Sequence, residues 1–486
     1  MLTTKFRCPA CGGTPLRDTG DKLVCERCAH GTPLVDGIVD FVGGRFDTAL
    51  DVEAYDSGHS IGEHSSERHY NDLRILAGHR WPVSLGSTVE IGCGTGLYSR
   101  ALASHGEARE ILLTDVSVDM LRLCRKQLAR DTTSSRLQIG FATYSSNETC
   151  FRDAVFDTCA GTSVLHHIPD VRAVLADIFR ALKPGGRAFF LEPNQRHDRA
   201  LGQTLADVLA ILYARDAEWS EDKQRILNLI AESRRRLLHQ EDHDFMATLE
   251  DKHMFIAEAF EAMALELGFA TAEAIASRPG ENPAATTREL CHEVGASQGF
   301  TDIIAGLAGS IGGRYFDLLS PRDRSPSLLL WLTKGVGPQA RTFQGPSPRR
   351  AVPPGGVEAV LGGMPPHWRF NLHAQAIPDG IRLRTEGWCL LNVEVRWIRV
   401  TLNGVAKDVP LWLPRPDVHL ALNKSGLYGA WNALCCGLDA DLIYPGVQAG
   451  DDGLAVAVEI VLCDGNVLSV RAQPTLRLDQ PAVIAV

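Results

Sequence analysis

The sequence predicts an α/β core built on a doubly wound, mostly parallel sheet, preceded by a small cysteine-rich module and followed by an all-β sandwich. Three observations support this fold class. Short apolar runs alternate with segments of helical periodicity from about Tyr70 to Lys334, which is the order that a parallel sheet requires. Four cysteines in two pairs precede this region, and beyond Gly356 the residues alternate with the period of antiparallel strands. At 486 residues the chain is too long for one core, so two or three domains are expected.

The composition is that of a globular protein, with 45% hydrophobic and 22% charged residues and no apolar run long enough to span a bilayer. The first residues lack the apolar stretch of a signal peptide, so we expect a cytoplasmic protein in which the thirteen cysteines are reduced core residues or metal ligands. The net charge of −10 gives no general attraction toward phosphate backbones, which disfavours nucleic acid as a partner.

The cysteine-rich module contains two C-x-x-C pairs. Cys8 and Cys11 form the first pair, and Cys25 and Cys28 form the second after thirteen intervening residues. Each pair forms a tight turn that places two thiolates on one ion, and tetrahedral Zn²⁺ is the natural occupant of a four-thiolate site. Four unrelated core cysteines are disfavoured by this spacing. Because four thiolates leave no open position, we predict a structural zinc ribbon in residues 1–45.

A glycine-rich loop follows the first strand of the predicted core. Alternating glycines allow the backbone to approach a ligand closely, because no Cβ atom intervenes and positive φ angles are permitted. The buried strand end before the loop carries a carboxylate. The candidate cofactor-binding residues of this segment are Glu90, Gly92, Cys93, Gly94 and Gly96.

An acid ends the next predicted strand. Ile111 to Thr114 form an apolar run, and Asp115 follows nineteen residues after Gly96. An acid at that spacing can accept hydrogen bonds from a ribose diol. The alternative is that Asp115 caps the following helix before Ser117. The spacing favours the ribose-binding role.

An acid followed by G-x-G-x-G resembles the first motif of class I S-adenosylmethionine-dependent methyltransferases, whose fold is Rossmann-like, whereas a pyrophosphate-binding loop shows G-x-G-x-x-G. The segment 182–186, Leu-Lys-Pro-Gly-Gly before a strand, is also typical of that family. The resemblance implies S-adenosylmethionine as the cofactor. It places Glu90 near the methionine amino end, directly or through the loop, Asp115 on the ribose hydroxyls and Val116 against the adenine.

The sequence departs from the family after the third strand, where relatives carry an acid that binds the adenine amino group. The matching stretch, Tyr144 to Asn147, contains no acid, and Ser145 or Ser146 would take its place. Gly161 ends the fourth strand, which lines the cleft beside the sulfonium in the family. The cofactor-binding candidates therefore include Ser145, Ser146 and Gly161.

Two histidines, His166 and His167, follow the fourth strand. The N/D-P-P-Y signature of amino-directed methyltransferases and a Pro-Cys nucleophile are both absent, so an oxygen acceptor is favoured. Methyl transfer to a hydroxyl needs alignment and often a base, and histidine titrates near neutrality. Each histidine is therefore a catalytic candidate, with packing or helix capping as the alternative. Glu192 and His253 are secondary candidates, and the segment 251–253 resembles an acid-x-His pattern that is often structural in relatives.

The predicted methyltransferase domain covers residues 46–335, with a helical insertion at about 199–251 that would either cover the cofactor cleft, as in relatives, or form a dimerisation surface. A linker at 336–356 leads to a β-sandwich at 357–486, in which Asn403-Gly404 and Asp464-Gly465 are predicted hairpin turns. Three of its motifs resemble a β-domain found beside bacterial glycosyltransferases and surface-polysaccharide enzymes: Gly387-Trp388, Asn403-Gly404 and Arg415-Pro416-Asp417-Val418. It could mediate a homodimer or bind a partner enzyme.

The favoured function is methylation of an oxygen on a small molecule or a glycan. An RNA methyltransferase is the first alternative, because the ribbon also resembles one that precedes a ribosomal RNA guanine methyltransferase family, although the negative charge opposes it. A second alternative is a non-catalytic binding or scaffold protein with a degenerate methyltransferase core. The intact glycine loop and Asp115 favour an enzyme.

Overall fold

The computed structural model describes residues 4–43, 63–131, 137–145, 150–215, 219–239, 251–336, 366–423, 428–450, 453–463, 467–470 and 475–485. The chain divides into two compact units. The first comprises Met1–Gln195, Ala247–Gly280 and Pro321–Gly345, and the second comprises Arg196–Met246, Glu281–Ser320 and Pro346–Val486. The domain boundaries that the sequence suggests after residues 45, 335 and 356 remain predictions. The structure adds that the helical insertion belongs to the same unit as the C-terminal region.

The first unit is built on one sheet of eleven strands within the described residues. The strands are β1 Leu16–Asp18, β2 Lys22–Cys25, β3 Gly31–Val35, β4 Ile38–Asp40, β5 Gly86–Ile91, β6 Ala108–Asp115, β7 Gln138–Thr143, β8 Phe156–Thr162, β9 Leu182–Pro193, β10 Thr271–Ala276 and β11 Ser327–Thr333. Their order across the sheet is β1-β2-β3-β4-β7-β6-β5-β8-β9-β11-β10.

The central strands form the predicted doubly wound sheet. Strands β7, β6, β5, β8 and β9 are mutually parallel, and β11 and β10 add antiparallel strands at one edge. The chain runs outward from β5 to β7 and then returns to place β8 on the other side of β5. Strand order therefore reverses between β5 and β8, and ligands of such sheets bind beside that point, at the carboxyl ends of the strands.

The cysteine-rich module continues directly into this sheet. Strand β4 pairs in parallel with β7, with Val39 opposite Ala142 and Asp40 opposite Thr143. The Thr143 hydroxyl donates to Asp40 Oδ1 at 2.8 Å, and the Val42 amide donates to Thr143 Oγ1 at 3.0 Å. Strands β3 and β4 form an antiparallel pair after the cysteine-rich strands, and β4 extends the central sheet.

The helices, in chain order, are α1 Glu63–Ala77, α2 Leu97–His105, α3 Val118–Asp131, α4 Val171–Ala181, α5 Gln195–Arg215, α6 Ser220–His239, α7 Ala257–Glu266, α8 Pro283–Glu293, α9 Gln298–Ile311, α10 Gly313–Phe316, α11 Pro416–Leu422 and α12 Ala430–Leu434. Asp170 caps the start of α4, because its Oδ1 accepts from the Ala173 amide at 2.9 Å. Helix α7 ends before Gly268, whose φ of 103° lies in the left-handed region that favours glycine after a helix. None of the helices in the described ranges combines the length and apolar character needed to cross a bilayer.

The second unit contains a helical layer and two antiparallel sheets. Helices α5, α6, α8 and α9 bury a shared apolar core that includes Leu205, Ile230 and Phe300. Trp431 of α12 joins this core, and its Nε1 donates to the Ile230 carbonyl at 3.2 Å. The apolar stripes that the sequence left open to dimerisation are thus buried within the unit.

The two C-terminal sheets form the predicted sandwich. The first sheet has the order β16-β13-β12-β20, and the second has the order β15-β14-β17-β18 with β19 beside β17. The Asn403-Gly404 hairpin is confirmed between β14 and β15, whereas Asp464-Gly465 lies outside the described residues. Helices α11 and α12 show that this region is not all-β. The strands are β12 His367–Ile377, β13 Gly380–Leu390, β14 Val395–Leu402, β15 Val405–Pro410, β16 Gly437–Pro445, β17 Leu454–Leu462, β18 Val467–Ser469, β19 Thr475–Leu476 and β20 Pro481–Ala485.

Candidate functional site

The four predicted zinc ligands meet at one point. The Sγ atoms of Cys8 and Cys28 are 3.6 Å apart, as are those of Cys11 and Cys25, and all four lie within 4.8 Å of one another. Thiolates around tetrahedral Zn²⁺, with bonds of about 2.3 Å, lie about 3.8 Å apart. All thirteen cysteines are free thiols. The donor set and its spacing therefore fit a closed zinc site.

Tight turns give this cluster its geometry. The Gly12 amide donates to the Cys8 carbonyl at 2.8 Å, with a φ of 66° that favours glycine, and the Ala29 amide donates to the Cys25 carbonyl at 2.9 Å. Desolvation opposes ionisation of Cys25, but the amides of Cys28 and Arg27 outweigh it and lower the pKa of Cys25 to about 7. A thiolate is the form that binds a metal.

The glycine loop after β5 has the backbone that only glycine adopts readily. Gly92, Gly94 and Gly96 have φ angles of 63°, 52° and 100°. A Cβ atom on Gly92 would lie 2.2 Å from Val164, whereas a Cβ on Gly94 would meet nothing within 4 Å. Cys93 is buried, and its amide donates to the Thr114 carbonyl at 2.9 Å. Gly92 thus lets the loop pack against Val164, which follows β8. The space beside Gly94 is open and can take a ligand.

Asp115 connects the end of β6 to this loop. Its Oδ2 accepts from the Gly94 amide at 3.0 Å, and its Oδ1 accepts from the Ser117 amide at 3.0 Å. Burial raises the pKa of Asp115, and the amides of Ser117 and Gly94 oppose that rise. Each carboxylate oxygen has a second lone pair, so the capping bond to Ser117 leaves acceptor capacity for a ribose diol.

Glu90 is 1% exposed, and its Oε2 accepts from the Ser99 hydroxyl of α2 at 2.6 Å. Burial raises the pKa of Glu90 to about 8, against the opposing effect of the Ser99 bond. Of the two predicted routes to a ligand, this geometry supports the indirect one, through the loop and the start of α2.

The remaining cofactor-binding candidates surround the same loop. Val116 is 37% exposed, which suits a residue that packs against a flat ring, and Ser145 is buried just after β7. Ser146 lies outside the described residues. A Cβ on Gly161 would lie 2.8 Å from both Phe190 and Val164. An open glycine face, an acid with free lone pairs and an exposed apolar side chain fit a nucleoside cofactor.

Both predicted histidines lie in the 3₁₀ turn Leu165–His167 after β8. His166 Nδ1 lies 2.7 Å from Oε2 of Glu192, whose side chain is fully buried at the end of β9. Glu192 Oε1 accepts from the amides of Val164 and Leu165 at 3.1 Å and 2.8 Å. The secondary candidate Glu192 is therefore the residue that orients His166.

Asp251 completes this group. Its Oδ1 lies 3.4 Å from His167 Nδ1 and 3.7 Å from His166 Nε2. The other secondary candidate, His253, instead directs its Nε2 to the Pro169 carbonyl at 3.2 Å. In the acid-x-His pattern at 251–253, the sequence pointed to the histidine as the candidate. The structure brings the acid, rather than that histidine, to the pair.

A family model described as a methyltransferase domain matches residues 89–190. The demethylmenaquinone methyltransferase of Lactiplantibacillus plantarum is 31% identical over 157 residues, which are 32% of this chain and 63% of that protein. The ubiquinone biosynthesis O-methyltransferase of Xylella fastidiosa is 29% identical over 117 residues, which are 24% of this chain and 45% of that protein. The chain thus spans about half of the length of these relatives.

Among solved structures, the phosphoethanolamine N-methyltransferase 2 of Haemonchus contortus, in complex with S-adenosyl-L-methionine, is 16% identical with a TM-score of 0.36, over 63% of this chain and 62% of that chain. The residues that the family model matches contain the glycine loop, Asp115 and both histidines. This match and the strand order confirm the Rossmann-like fold of class I methyltransferases that the sequence predicted.

Proposed function

We propose that this protein is an S-adenosylmethionine-dependent methyltransferase that methylates an oxygen atom of a small molecule or a glycan. The glycine loop and Asp115 hold the nucleoside part of the cofactor, with Val116 against the adenine and Ser145 nearby. When bound, S-adenosylmethionine supplies an electrophilic methyl group. The four cysteines hold a structural Zn²⁺ that fixes the strands leading into the sheet.

A continuous series of contacts at the switch point of the sheet carries this proposal. Asp115 accepts from the Gly94 amide, and the loop packs against Val164 at Gly92. The Val164 amide in turn donates to Glu192, which orients His166. The nucleoside-binding candidates and the histidines therefore belong to one connected site, which is what methyl transfer between a bound cofactor and an acceptor requires.

The histidine pair supports an oxygen acceptor. His166 is 11% exposed and His167 is 41% exposed, so a hydroxyl can reach the pair from solvent. An imidazole oriented by a carboxylate can accept a hydroxyl proton at neutral pH. The relatives include one protein named as an O-methyltransferase and another named as a demethylmenaquinone methyltransferase, so the acceptor is inferred from the site.

A groove in the second unit supports a glycan as one acceptor class. The groove has a volume of about 660 Å³ and contains the half-buried Trp388 together with Arg369, Glu386, Asp439 and Asn228. An apolar ring face among charged and amide groups suits a ligand with a hydroxylated edge and an apolar face, as sugars have. The groove would then bind part of a polysaccharide acceptor.

Calorimetric titration of S-adenosylmethionine tests the proposal. We expect binding in the micromolar range, and we expect Asp115→Ala to weaken it by about tenfold or more because the ribose diol loses its acceptor. Asp119→Ala is the matched control. That acid is 63% exposed on α3 and pairs with Arg122, so its removal leaves the affinity unchanged.

If folded wild-type protein does not bind S-adenosylmethionine, the proposal of an enzyme is wrong and the scaffold alternative is favoured. If binding is found, acceptors are screened with labelled S-adenosylmethionine, oligosaccharides first. Trp388→Ala is expected to weaken binding of any oligosaccharide that the screen identifies as an acceptor, without changing the affinity for S-adenosylmethionine. Equal oligosaccharide binding by Trp388→Ala and wild type would remove the glycan part of the proposal.

A further inference from the structure

Three side chains beside the cofactor loop are spaced like the ligands of a metal ion. Asp251 Oδ1 is 3.4 Å from His167 Nδ1 and 3.7 Å from His166 Nε2, and one such atom from each residue lies within 4.8 Å of the others. Ligands at about 2.0–2.1 Å from a tetrahedral ion lie about 3.4 Å apart. A cation placed among these three atoms would therefore need little movement of the side chains.

Glu192 determines which nitrogen of His166 faces this group. A carboxylate can only accept, and Glu192 Oε2 lies 2.7 Å from Nδ1, so Nδ1 carries the proton of a neutral ring. The lone pair of Nε2 is then left on the side of the ring that lies 3.7 Å from Asp251 Oδ1, where a cation can bind it. A carboxylate that orients a histidine from behind is the usual second shell of a metal site.

The backbone holds Asp251 in this position. The Lys252 and His253 amides both donate to the His166 carbonyl, at 2.6 Å and 3.0 Å, so the chain after Asp251 is tied to the histidine turn. His167 and Asp251 are 41% and 39% exposed. An ion bound by these residues would keep open positions toward solvent, as catalytic metal sites do and structural ones do not.

We propose that His166, His167 and Asp251 bind a divalent transition-metal ion, with Glu192 as the orienting carboxylate. Two imidazoles and one carboxylate suit ions such as Zn²⁺, Co²⁺ and Fe²⁺. This site is separate from the four-cysteine site in residues, ligand chemistry and exposure.

The role of the ion rests on the proposed function. An ion held there would lower the pKa of an acceptor hydroxyl, so that its proton passes to water. The acceptor oxygen would then form a bond to the methyl carbon of S-adenosylmethionine as the carbon–sulfur bond breaks and S-adenosylhomocysteine leaves. With an ion bound, the histidines would act as its ligands in place of the proton-accepting role given under the proposed function, because a ligating nitrogen has no lone pair left for a proton. The preferred acceptors are oxygen donors that can bind such an ion.

Titration of the full chain with Co²⁺ tests the site. The protein is first given a single equivalent of Zn²⁺, which the four thiolates of the cysteine cluster take up, and Co²⁺ binding is then followed by absorbance and calorimetry. We expect a further equivalent to bind without the intense charge-transfer band that thiolate ligation produces. Asp251→Asn removes a ligand charge and is expected to weaken Co²⁺ binding by about tenfold or more.

Glu192→Gln supplies the sharper variant. A glutamine amide donates to Nδ1 and moves the proton of His166 to Nε2, so we expect Co²⁺ affinity to fall by about tenfold or more while the fold is kept. His105→Ala is the matched control, because His105 also lies 2.9 Å from one carboxylate, that of Glu67, and has no second carboxylate partner among the residues that the structure describes. Binding by His105→Ala should equal that of wild type.

Two results would overturn the proposal: no further equivalent of Co²⁺ in wild-type protein, or a further equivalent that Asp251→Asn and Glu192→Gln both leave unchanged. Failure of the proposed function is separable from these. If Co²⁺ binds as expected and S-adenosylmethionine does not, the metal site stands and the methyltransferase assignment falls.

Discussion

His166 and Glu192 form a buried pair in which Nδ1 lies 2.7 Å from Oε2, although the two residues come from different strand ends. The same carboxylate accepts from the amides of Val164 and Leu165. One side chain thus fixes the turn after β8 and the imidazole that the turn presents. The orientation of the imidazole and the local stability are therefore coupled at this position.

This coupling predicts that Glu192→Ala destabilises the first unit by about 3 kcal/mol, because several buried donors lose their acceptor. Glu192→Gln keeps a side-chain oxygen that can accept from these two amides, so we expect it to lower the free energy of unfolding by only about 1 kcal/mol. Thermal unfolding followed by calorimetry checks both values. Equal losses for the two variants would show that the amide contacts contribute little.

The parts of the fold that follow local rules were predictable from sequence. Periodicity located the central strands, Asp170 marked the start of α4, and glycine spacing located the loop after β5. The pairing of β4 with β7 was not predictable, because Val39 and Ala142 are more than one hundred residues apart and no local pattern records a partner strand. Helices α8 and α9 and strand β10 were also missed.

The candidate site divides in the same way. Cys8, Cys25, Gly94 and Asp115 belong to motifs whose spacing carries the chemistry. Asp251 does not, because its closeness to the histidines depends on backbone bonds between distant segments. Its acid-x-His context was the one signal that could have identified it.

Glycine substitutions should separate packing from ligand binding in the loop after β5. Gly92→Ala places a Cβ 2.2 Å from Val164, so we expect a loss of about 1–3 kcal/mol of stability. Gly94→Ala meets no atom within 4 Å and should cost only about 1 kcal/mol of backbone strain. Because its face is open to a ligand, it should still weaken S-adenosylmethionine binding. Thermal unfolding and calorimetry measure the two effects, and unchanged affinity in Gly94→Ala would contradict the proposed cradle.

The raised pKa of Glu90 predicts a pH-dependent stability. The folded protein keeps the Glu90 proton up to a pKa of about 8, whereas the unfolded chain loses it near the ordinary value of 4.5. Folding therefore binds a proton in this range, and the contribution of Glu90 to stability falls as the pH rises from 4.5 to 8. Glutamine cannot ionise, so Glu90→Gln does not lose stability in this way. The melting temperature of Glu90→Gln minus that of wild type should therefore increase from pH 5 to pH 8.

Glu110→Gln is the control for that measurement. Burial opposes ionisation of Glu110, but the bond from Lys5 Nζ, at 2.5 Å, lowers its pKa. The stabilisation is present above the pKa of the unfolded chain and is lost only as the pH falls through the lowered value. The melting temperature of Glu110→Gln should therefore lie below that of wild type by the same amount from pH 5 to pH 8. A constant difference for Glu90→Gln as well would show that Glu90 ionises normally.

The four-cysteine site predicts one tightly bound zinc ion whose loss destabilises the first unit. Cys11→Ser removes one of the four thiolates, and we expect elemental analysis to show the loss of this zinc and calorimetry to show a lower melting temperature. Cys463→Ser is the matched control, because that exposed thiol lies outside the cluster. Retention of the zinc by Cys11→Ser would contradict the assigned ligand set.

Trp431 is expected to hold the helical layer of the second unit together. It is 6% exposed, its Nε1 bonds to the Ile230 carbonyl of α6, and its ring lies 2.7 Å from the position of a Cβ on Gly202 of α5. Trp431→Ala should cost about 3–5 kcal/mol because it leaves a large cavity between the two helices. Hydrogen exchange should then speed up in α5 and α6, whereas Ile443→Ala, at an exposed position on β16 outside this core, should leave it unchanged. Unchanged exchange in both helices of Trp431→Ala would mean that they are stable without this contact, and the grouping of the insertion with the C-terminal region would then have no energetic basis.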